Sequence, residues 1–161
     1  MHKNPAFSQG IIVPASANGS IDLFVFDRSD VLIDITGYFG EDNGQGLYYF
    51  PVTQCRVDDS QFIDEQAKTL GVPTASGCTG IPASAKGYAA TVTSISGGTS
   101  MPFLTLYPTG QLRPNASTLN AFEGQTVTNS TIVPSGTGGS IDIFAYRRTR
   151  VVLDVSGYFS R

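Results

Sequence analysis

The chain contains the same C-terminal pattern twice. Residues 12–39 match residues 132–159 at a constant offset of 120 residues, without a gap. The identical positions of the first copy are Ile12, Val13, Pro14, Gly19, Ser20, Ile21, Asp22, Phe24, Arg28, Val31, Asp34, Gly37, Tyr38 and Phe39. A repeat at about one domain length indicates tandem modules. We therefore predict that residues 1–39 are the C-terminal part of one module, that residues 47–161 are a complete second module, and that the two copies share one conformation.

The junction between the two predicted modules is glycine-rich and polar. Residues 40–46 (GEDNGQG) carry no apolar side chain, a composition typical of flexible linkers. We place a domain boundary here.

Alternating apolar and polar residues predict strands through most of the chain. Residues 20–27 and 31–36 are expected to form a hairpin, and residues 140–146 and 151–156 repeat it. The other predicted strands are residues 48–57, 66–70, 88–95, 103–107 and 126–133. About eight strands at this spacing predict an all-β fold, an antiparallel two-sheet sandwich of jelly-roll or immunoglobulin-like topology, with a β-trefoil as the alternative.

The net charge argues against a nucleic acid partner, and the short apolar runs argue against a membrane-spanning helix. The formal net charge is -3 and only 14% of residues are charged, so the basic stripe expected of a nucleic-acid-binding protein is missing. No apolar run approaches the roughly 20 residues that a membrane-spanning helix needs. We expect no nucleic acid partner and no insertion into a membrane.

Two cysteines, Cys55 and Cys78, lie within the complete module. In loop-rich β sequence such a pair predicts one disulfide and a location outside the cytoplasm, with two separate buried thiols as the alternative. A metal site is not expected, because two cysteines and the distant His2 cannot supply four close ligands.

Four segments together resemble a known family. They are residues 50–61 (FPVTQCRVDDSQ), 78–85 (CTGIPASA), 103–108 (FLTLYP) and 154–159 (DVSGYF). In this order they resemble a repeated extracellular module of large secreted and cell-surface proteins of soil bacteria, a family without an assigned biochemical function. The resemblance implies secretion and a Cys55–Cys78 bridge, and it implies no catalytic residues. Gln61 departs from the arginine of the family pattern.

Asp34 and Asp154 each interrupt an apolar strand, and Asp22 and Asp142 are similarly placed. A carboxylate in such a strand has to be solvated, hydrogen-bonded or paired. We expect structural carboxylates that bond loop amides or the nearby Arg28 and Arg148. Calcium coordination is the alternative, since Ca²⁺ prefers several oxygen ligands; no other cofactor is expected.

Aromatic residues suggest one binding activity. Tyr48, Tyr49 and Tyr107 could stack on the flat faces of sugars, although aromatic side chains more often fill the core. A catalytic triad needs a histidine, and the only one is His2. The sequence therefore predicts a non-enzymatic structural or adhesion module at the cell surface or outside the cell, with a carbohydrate-binding module as the alternative. The expected partners are neighbouring repeats or an extracellular polymer.

A few strands cannot bury a hydrophobic face alone. We therefore expect residues 11–39 either to dock on the complete module or to exchange with a neighbouring chain and form a homo-oligomer.

Overall fold

The computed structural model describes residues 9–11, 13–41, 44–98, 100–122 and 124–161. His2, Ile12 and residues 42 and 43 of the predicted linker lie outside the described residues. The strands of the described part are β1 Tyr48–Phe62, β2 Gln66–Gly71, β3 Gly87–Ile95, β4 Met101–Pro108, β5 Leu119–Ala121, β6 Thr126–Pro134, β7 Ser140–Ala145 and β8 Thr149–Ser160. Two short 3-10 turns, Val72–Thr74 and Thr137–Gly139, precede β3 and β7.

The strands form two antiparallel sheets of four strands each. One sheet has the order β1-β8-β3-β6 and the other the order β2-β7-β4-β5. The prediction of an all-β two-sheet sandwich is confirmed, and this strand order is that of a jelly roll. The immunoglobulin-like and β-trefoil alternatives are wrong.

The core lies between the sheets and is built by alternation along the strands. Val151, Leu153 and Val155 of β8 are fully buried, and they face Ile141 and Ile143 of β7, which are also fully buried. Period-two burial of this kind places one side of each strand in the core and leaves the other side to polar groups.

A tyrosine anchors the turn before β7 from inside the core. Tyr88 is fully buried, and its hydroxyl donates a hydrogen bond of 2.6 Å to the carbonyl oxygen of Gly139. Burial raises the pKa of Tyr88 to about 12. The folded state therefore favours the neutral form of the Tyr88 phenol.

The predicted disulfide is confirmed. Cys55 of β1 bonds Cys78, which lies 23 positions later in the loop before β3, and their Cα atoms are 5.1 Å apart. A bridge closing a loop of this length stabilises a fold by about 3 kcal/mol in the chain-entropy account.

The two predicted hairpins are wrong. β7 lies between β2 and β4 in one sheet, whereas β8 lies between β1 and β3 in the other. The residues between them, Tyr146–Arg148, cross from one sheet to the other instead of turning back on β7. β5 was also missed, because its three residues are too few to show a period.

The opening and closing halves of the module depend on each other. We call β1–β5 the opening half and β6–β8 the closing half. Every ladder of β6, β7 and β8 runs to a strand of the opening half: β6 to β3, β7 to β2 and β4, and β8 to β1 and β3. No strand of the closing half pairs with another strand of that half.

Residues 13–39, which we call the first copy, form no strand among the described residues. The predicted strands at 20–27 and 31–36 are wrong, and so is the expectation that the two copies share one conformation. The physical reason is the pairing just described: the first copy repeats the closing half, and these 161 residues contain no opening half that precedes it. Its side chains lie in solvent, as Phe24 and Leu32 show with exposures of 86% and 94%.

Gly10, just before the first copy, donates its backbone N–H to Asn129 Oδ1 of β6 at 2.8 Å, but the apolar segments of the first copy itself do not dock on the complete module among the described residues. The end of the first copy does approach the module, since the Phe39 ring centroid lies 6.3 Å from that of Phe159. The strand-length apolar segments between Ile21 and Ile35 remain exposed. Exchange with a neighbouring chain stays a prediction.

Candidate functional site

A row of four charged side chains joins β1 to β8. Arg56 lies opposite Asp154 in the ladder and donates two hydrogen bonds to its carboxylate, at 2.9 and 3.1 Å. Arg150 donates two to Asp59, at 2.6 and 2.8 Å. Arg56 Nη1 lies 3.5 Å from Asp59 Oδ2 and links the two pairs. We call these residues the charged row.

The charged row favours the ionised forms of Asp59, Arg56 and Arg150. The hydrogen bonds from Arg150 lower the pKa of Asp59, while the bonds to Asp154 and Asp59 raise the pKa values of Arg56 and Arg150 respectively. Exposed ion pairs contribute little to stability when single, but two bidentate pairs joined in a network fix geometry more strongly. The row therefore helps to set how β1 lies on β8, and it keeps Asp59 in the ionised form.

The two carboxylates predicted for the closing half have partners within the module. Asp154 is bound by Arg56 and not by Arg148, whose backbone N–H donates to Asp64 instead. Asp142 Oδ1 accepts hydrogen bonds from the hydroxyls of Thr69 and Thr109, at 2.7 and 2.8 Å. Both contacts are those of structural carboxylates.

These carboxylates do not converge. Asp142 lies on β7 and Asp154 on β8, which belong to different sheets, and their counterparts Asp22 and Asp34 lie in the strand-free first copy. Within the described ranges, no three or more His, Cys, Asp or Glu side chains group so as to hold a metal ion.

Aromatic rings gather where β1 begins and β8 ends. Phe50 stacks on Tyr158 with ring centroids 5.2 Å apart, and Tyr49 packs against Phe159 at 5.3 Å. Tyr48 and Tyr49 remain 56% and 45% exposed. We call this surface the aromatic end.

Gly157 explains the Gly-Tyr-Phe ending of the module. A Cβ at this position would lie 2.4 Å from the Tyr49 ring, so only glycine lets the ring lie across β8. The Tyr49 hydroxyl then donates to the carbonyl oxygen of Ser156 at 3.2 Å. The glycine of this motif therefore allows the Tyr49 ring of β1 to pack closely on β8.

Tyr107 does not belong to this surface. It is on β4 in the other sheet and is only 8% exposed, and burial raises its pKa. Because its ring is buried and lies on the other sheet, Tyr107 does not share a surface with Tyr48 or Tyr49.

A second aromatic group, on the β4–β7 sheet, was not predicted from the sequence. Phe103 stacks on Phe144 and Tyr146, and the Arg113 guanidinium lies 4.2 Å from the Phe144 ring centroid. A shallow recess lined by Phe103, Arg113 and Asn115 opens beside it. Arg113 lies far from Phe144 and Tyr146 in the chain, so no spacing in the sequence indicated these contacts.

The charged row was only partly visible in the sequence. The register that places Arg150 beside Asp59 follows only from the β1–β8 ladder. In comparisons with known proteins, no family model matches this chain, and neither does a curated protein or a solved structure. No helix among the described residues is long and apolar enough to cross a membrane.

The charged row predicts an acid sensitivity carried by Asp59. Because the folded-state pKa of Asp59 is lowered, its contribution to stability is fully present above the ordinary Asp pKa, about 3.9, and is lost as the pH falls through the lower folded value. We expect Asp59→Asn to lower the free energy of unfolding at pH 7 and to reduce its fall between pH 5 and pH 2, measured by urea unfolding. Asp27→Asn, in the first copy, is the control and should leave both unchanged. Equal acid sensitivity of Asp59→Asn and the unaltered protein would contradict the assignment.

Proposed function

We propose that this protein is a non-catalytic structural module of an extracellular or cell-surface protein built from tandem repeats. The observation that carries the proposal is where the chain enters and leaves the sandwich. Tyr48, at the start of β1, is paired with Ser160, at the end of β8, so both ends of the module lie together. A flexible linker on each side of such a module lets the sandwich project sideways from the path of the chain, which suits spacing or display.

The disulfide supports the extracellular part of the proposal. Disulfides persist in oxidising compartments and are rare where thiols are kept reduced. The Cys55–Cys78 bridge ties β1 to the loop before β3 and so reinforces the strand through which the linker enters the module. The resemblance of residues 50–61 and 154–159 to secreted repeats points the same way.

The aromatic end supports neighbouring repeats as partners. Tyr48, Tyr49 and Phe50 begin the module directly after the linker, and Phe39 of the first copy already contacts Phe159. Exposed aromatic side chains at such a position are suited to contacts between successive modules.

The location and oxidation state test this proposal. We expect an antibody against the protein to detect it in the medium or at the surface of the cells that make it. A thiol-reactive label should fail to modify Cys55 and Cys78 until the protein is reduced. Protein found inside the cell with both thiols free would contradict the proposal.

The exposed rings of Tyr48 and Tyr49 favour a second candidate function, binding of carbohydrate. Flat aromatic faces in solvent can stack on sugar rings, and the two tyrosines are neighbours at the start of β1, with their side chains on opposite sides of the strand. Phe50 and Tyr158 extend the surface on the side of Tyr48. This function would also need no catalytic group.

A binding measurement separates the two functions. If the module only spaces or displays, the full chain should not be retained by insoluble cellulose, chitin or peptidoglycan. Retention that Tyr48→Ala/Tyr49→Ala abolishes, with far-UV circular dichroism unchanged, would favour the carbohydrate-binding function. Tyr38→Ala, in the exposed first copy, is the matched control for loss of an exposed ring.

A further inference from the structure

The first copy keeps the apolar pattern of a closing half. Ile21 and Ile33 are exposed, whereas the matching Ile141 and Leu153 are fully buried in the core of the complete module. An exposed apolar set of this extent marks a surface that binds another protein surface. Since β6–β8 pair only with an opening half, the surface that the first copy fits is an opening half.

Two glycines of the first copy are also those of a closing half. Gly37 has open space around it, although its counterpart Gly157 lies beneath the Tyr49 ring. Gly19 has a φ of +81°, close to the +73° of Gly139 in the turn before β7. The first copy thus keeps the turn conformation of its counterpart. It also keeps, beside Gly37, the open space that a tyrosine ring occupies beside Gly157.

The topology of this chain would allow the first copy to close the complete module. In the module, Phe159 pairs with Tyr49, and the first copy ends at Phe39, just before β1. If Phe39 took the place of Phe159, residues 40–48 would connect it to Tyr49 as a hairpin loop. A connection of about nine residues is longer than a typical β-hairpin loop but within the range of loops in compact domains. The first copy and the closing half could therefore compete for one opening half.

Ser16 opposes that exchange. Its counterpart is Gly136, where a Cβ would lie 2.1 Å from the carbonyl oxygen of Thr109 and 2.2 Å from its nitrogen. Both atoms are backbone, so a flexible side chain cannot move aside. Any residue other than glycine at this position displaces the Thr109 backbone.

Val25 and Asp30 oppose the exchange as well. Val25 corresponds to Ala145, which is fully buried, so its extra methyl groups would overpack the core. Asp30 corresponds to Arg150, the bidentate partner of Asp59. Exchange would therefore replace an ion pair by two facing carboxylates.

We infer that the first copy is a closing half matched to a different opening half, and that Ser16, Val25 and Asp30 exclude it from the one in this chain. The partner is the β1–β5 half of another module. It has a cationic side chain where this module has Asp59, room for a side chain beside its counterpart of Thr109, and a larger cavity opposite Val25. Only the identity of this partner rests on the proposed tandem-repeat function; the exclusion follows from the residues of this chain.

In an array of repeats, such matching would prevent modules from exchanging strands. Adjacent modules joined by short flexible linkers are present to each other at high effective concentration. Copies that fitted one another's opening halves would exchange strands between modules. Mismatches in a turn, a core position and an ion pair keep each module closed by its own strands. The specificity then comes from unfavourable contacts with the wrong opening half.

The test is limited proteolysis of the full chain with mass spectrometry. In the unaltered protein we expect rapid cleavage within residues 13–40 and resistance within residues 126–160. The variant S16G/V25A/D30R gives the first copy the three residues of the closing half. We expect it to slow cleavage of the first copy and to increase cleavage within residues 126–160 at least tenfold, because the two segments then compete.

A matched variant controls for sequence identity and charge. N18G/F26Y/D27R changes three other positions to the residues of the closing half and alters the net charge by the same amount. Asn18 corresponds to Gly138, where a Cβ would meet no atom within 4 Å and where φ is +65°, a conformation that asparagine tolerates, so this change removes no clash and little strain. We expect the cleavage pattern of the unaltered protein. The inference is overturned if S16G/V25A/D30R also keeps that pattern, or if the control variant shifts it equally.

The ion-pair part of the inference has its own variant. S16G/V25A/D59R places the cation on the opening half, where it faces Asp30 and repels Arg150. We expect the same increase in cleavage of residues 126–160 as with D30R, and a smaller one with S16G/V25A alone. Adding R150D restores the pairing with the closing half and should reverse the effect. Failure of R150D to reverse it would overturn the role assigned to charge. Because cleavage is measured on the purified chain, these outcomes do not depend on where the protein resides in the cell.

Discussion

The structure depends on one pairing constraint: the last three strands of the module bond only to strands that precede β6. β7 and β8 are consecutive in the chain but lie in opposite sheets, and each is held on both sides by strands of the opening half. A backbone strand without neighbours leaves its N–H and C=O groups to water and its apolar side chains exposed. The same sequence pattern is therefore ordered at residues 132–159 and strand-free at residues 13–39. The difference is one of partners and not of propensity.

Contacts between β1 and β8 close the sandwich. The charged row, the rings of the aromatic end and Gly157 all act on this one ladder, and the disulfide holds β1 from its other side. β1 is the first strand of the module and β8 is the last, so these contacts hold the two ends of the module together. Carboxylates in both sheets have partners within the module: Arg56 binds Asp154, Arg150 binds Asp59, and two threonines bind Asp142. These contacts support the structural function proposed above.

Much of the fold was predictable from periodicity, and its pairing was not. The alternation in residues 140–146 and 151–156 locates β7 and β8 correctly, because it reflects one buried face per strand. Their assignment to a hairpin failed, because a short polar connection such as Tyr146–Arg148 serves equally for a turn within a sheet and for a crossing between sheets. The same alternation predicted strands in the first copy, where the residues are right and the partners are missing.

The candidate site was less predictable than the fold. Asp142 and Asp154 were recognised as carboxylates within apolar strands, a local feature. Their partners Thr69, Thr109 and Arg56 are brought to them by ladders that join distant parts of the chain. For Tyr107, by contrast, even the local environment was not predictable. Nothing in the residues around it indicated that its side chain would be buried on β4. The Gly-Tyr-Phe ending is visible in the sequence as a repeat. Its role follows only from the structure, in which the Tyr49 ring lies across Gly157.

Amide hydrogen exchange of the full chain, resolved by residue with NMR, tests the dependence of the closing half on the opening half most directly. We expect amides of β6, β7 and β8 to exchange at the slow rate set by global unfolding, together with those of β1 and β3. Amides of residues 20–27 and 31–36 should exchange at rates close to those of an unfolded chain. Slow exchange in those two segments, or exchange of β7 and β8 through a common opening that leaves β1–β4 protected, would contradict the account.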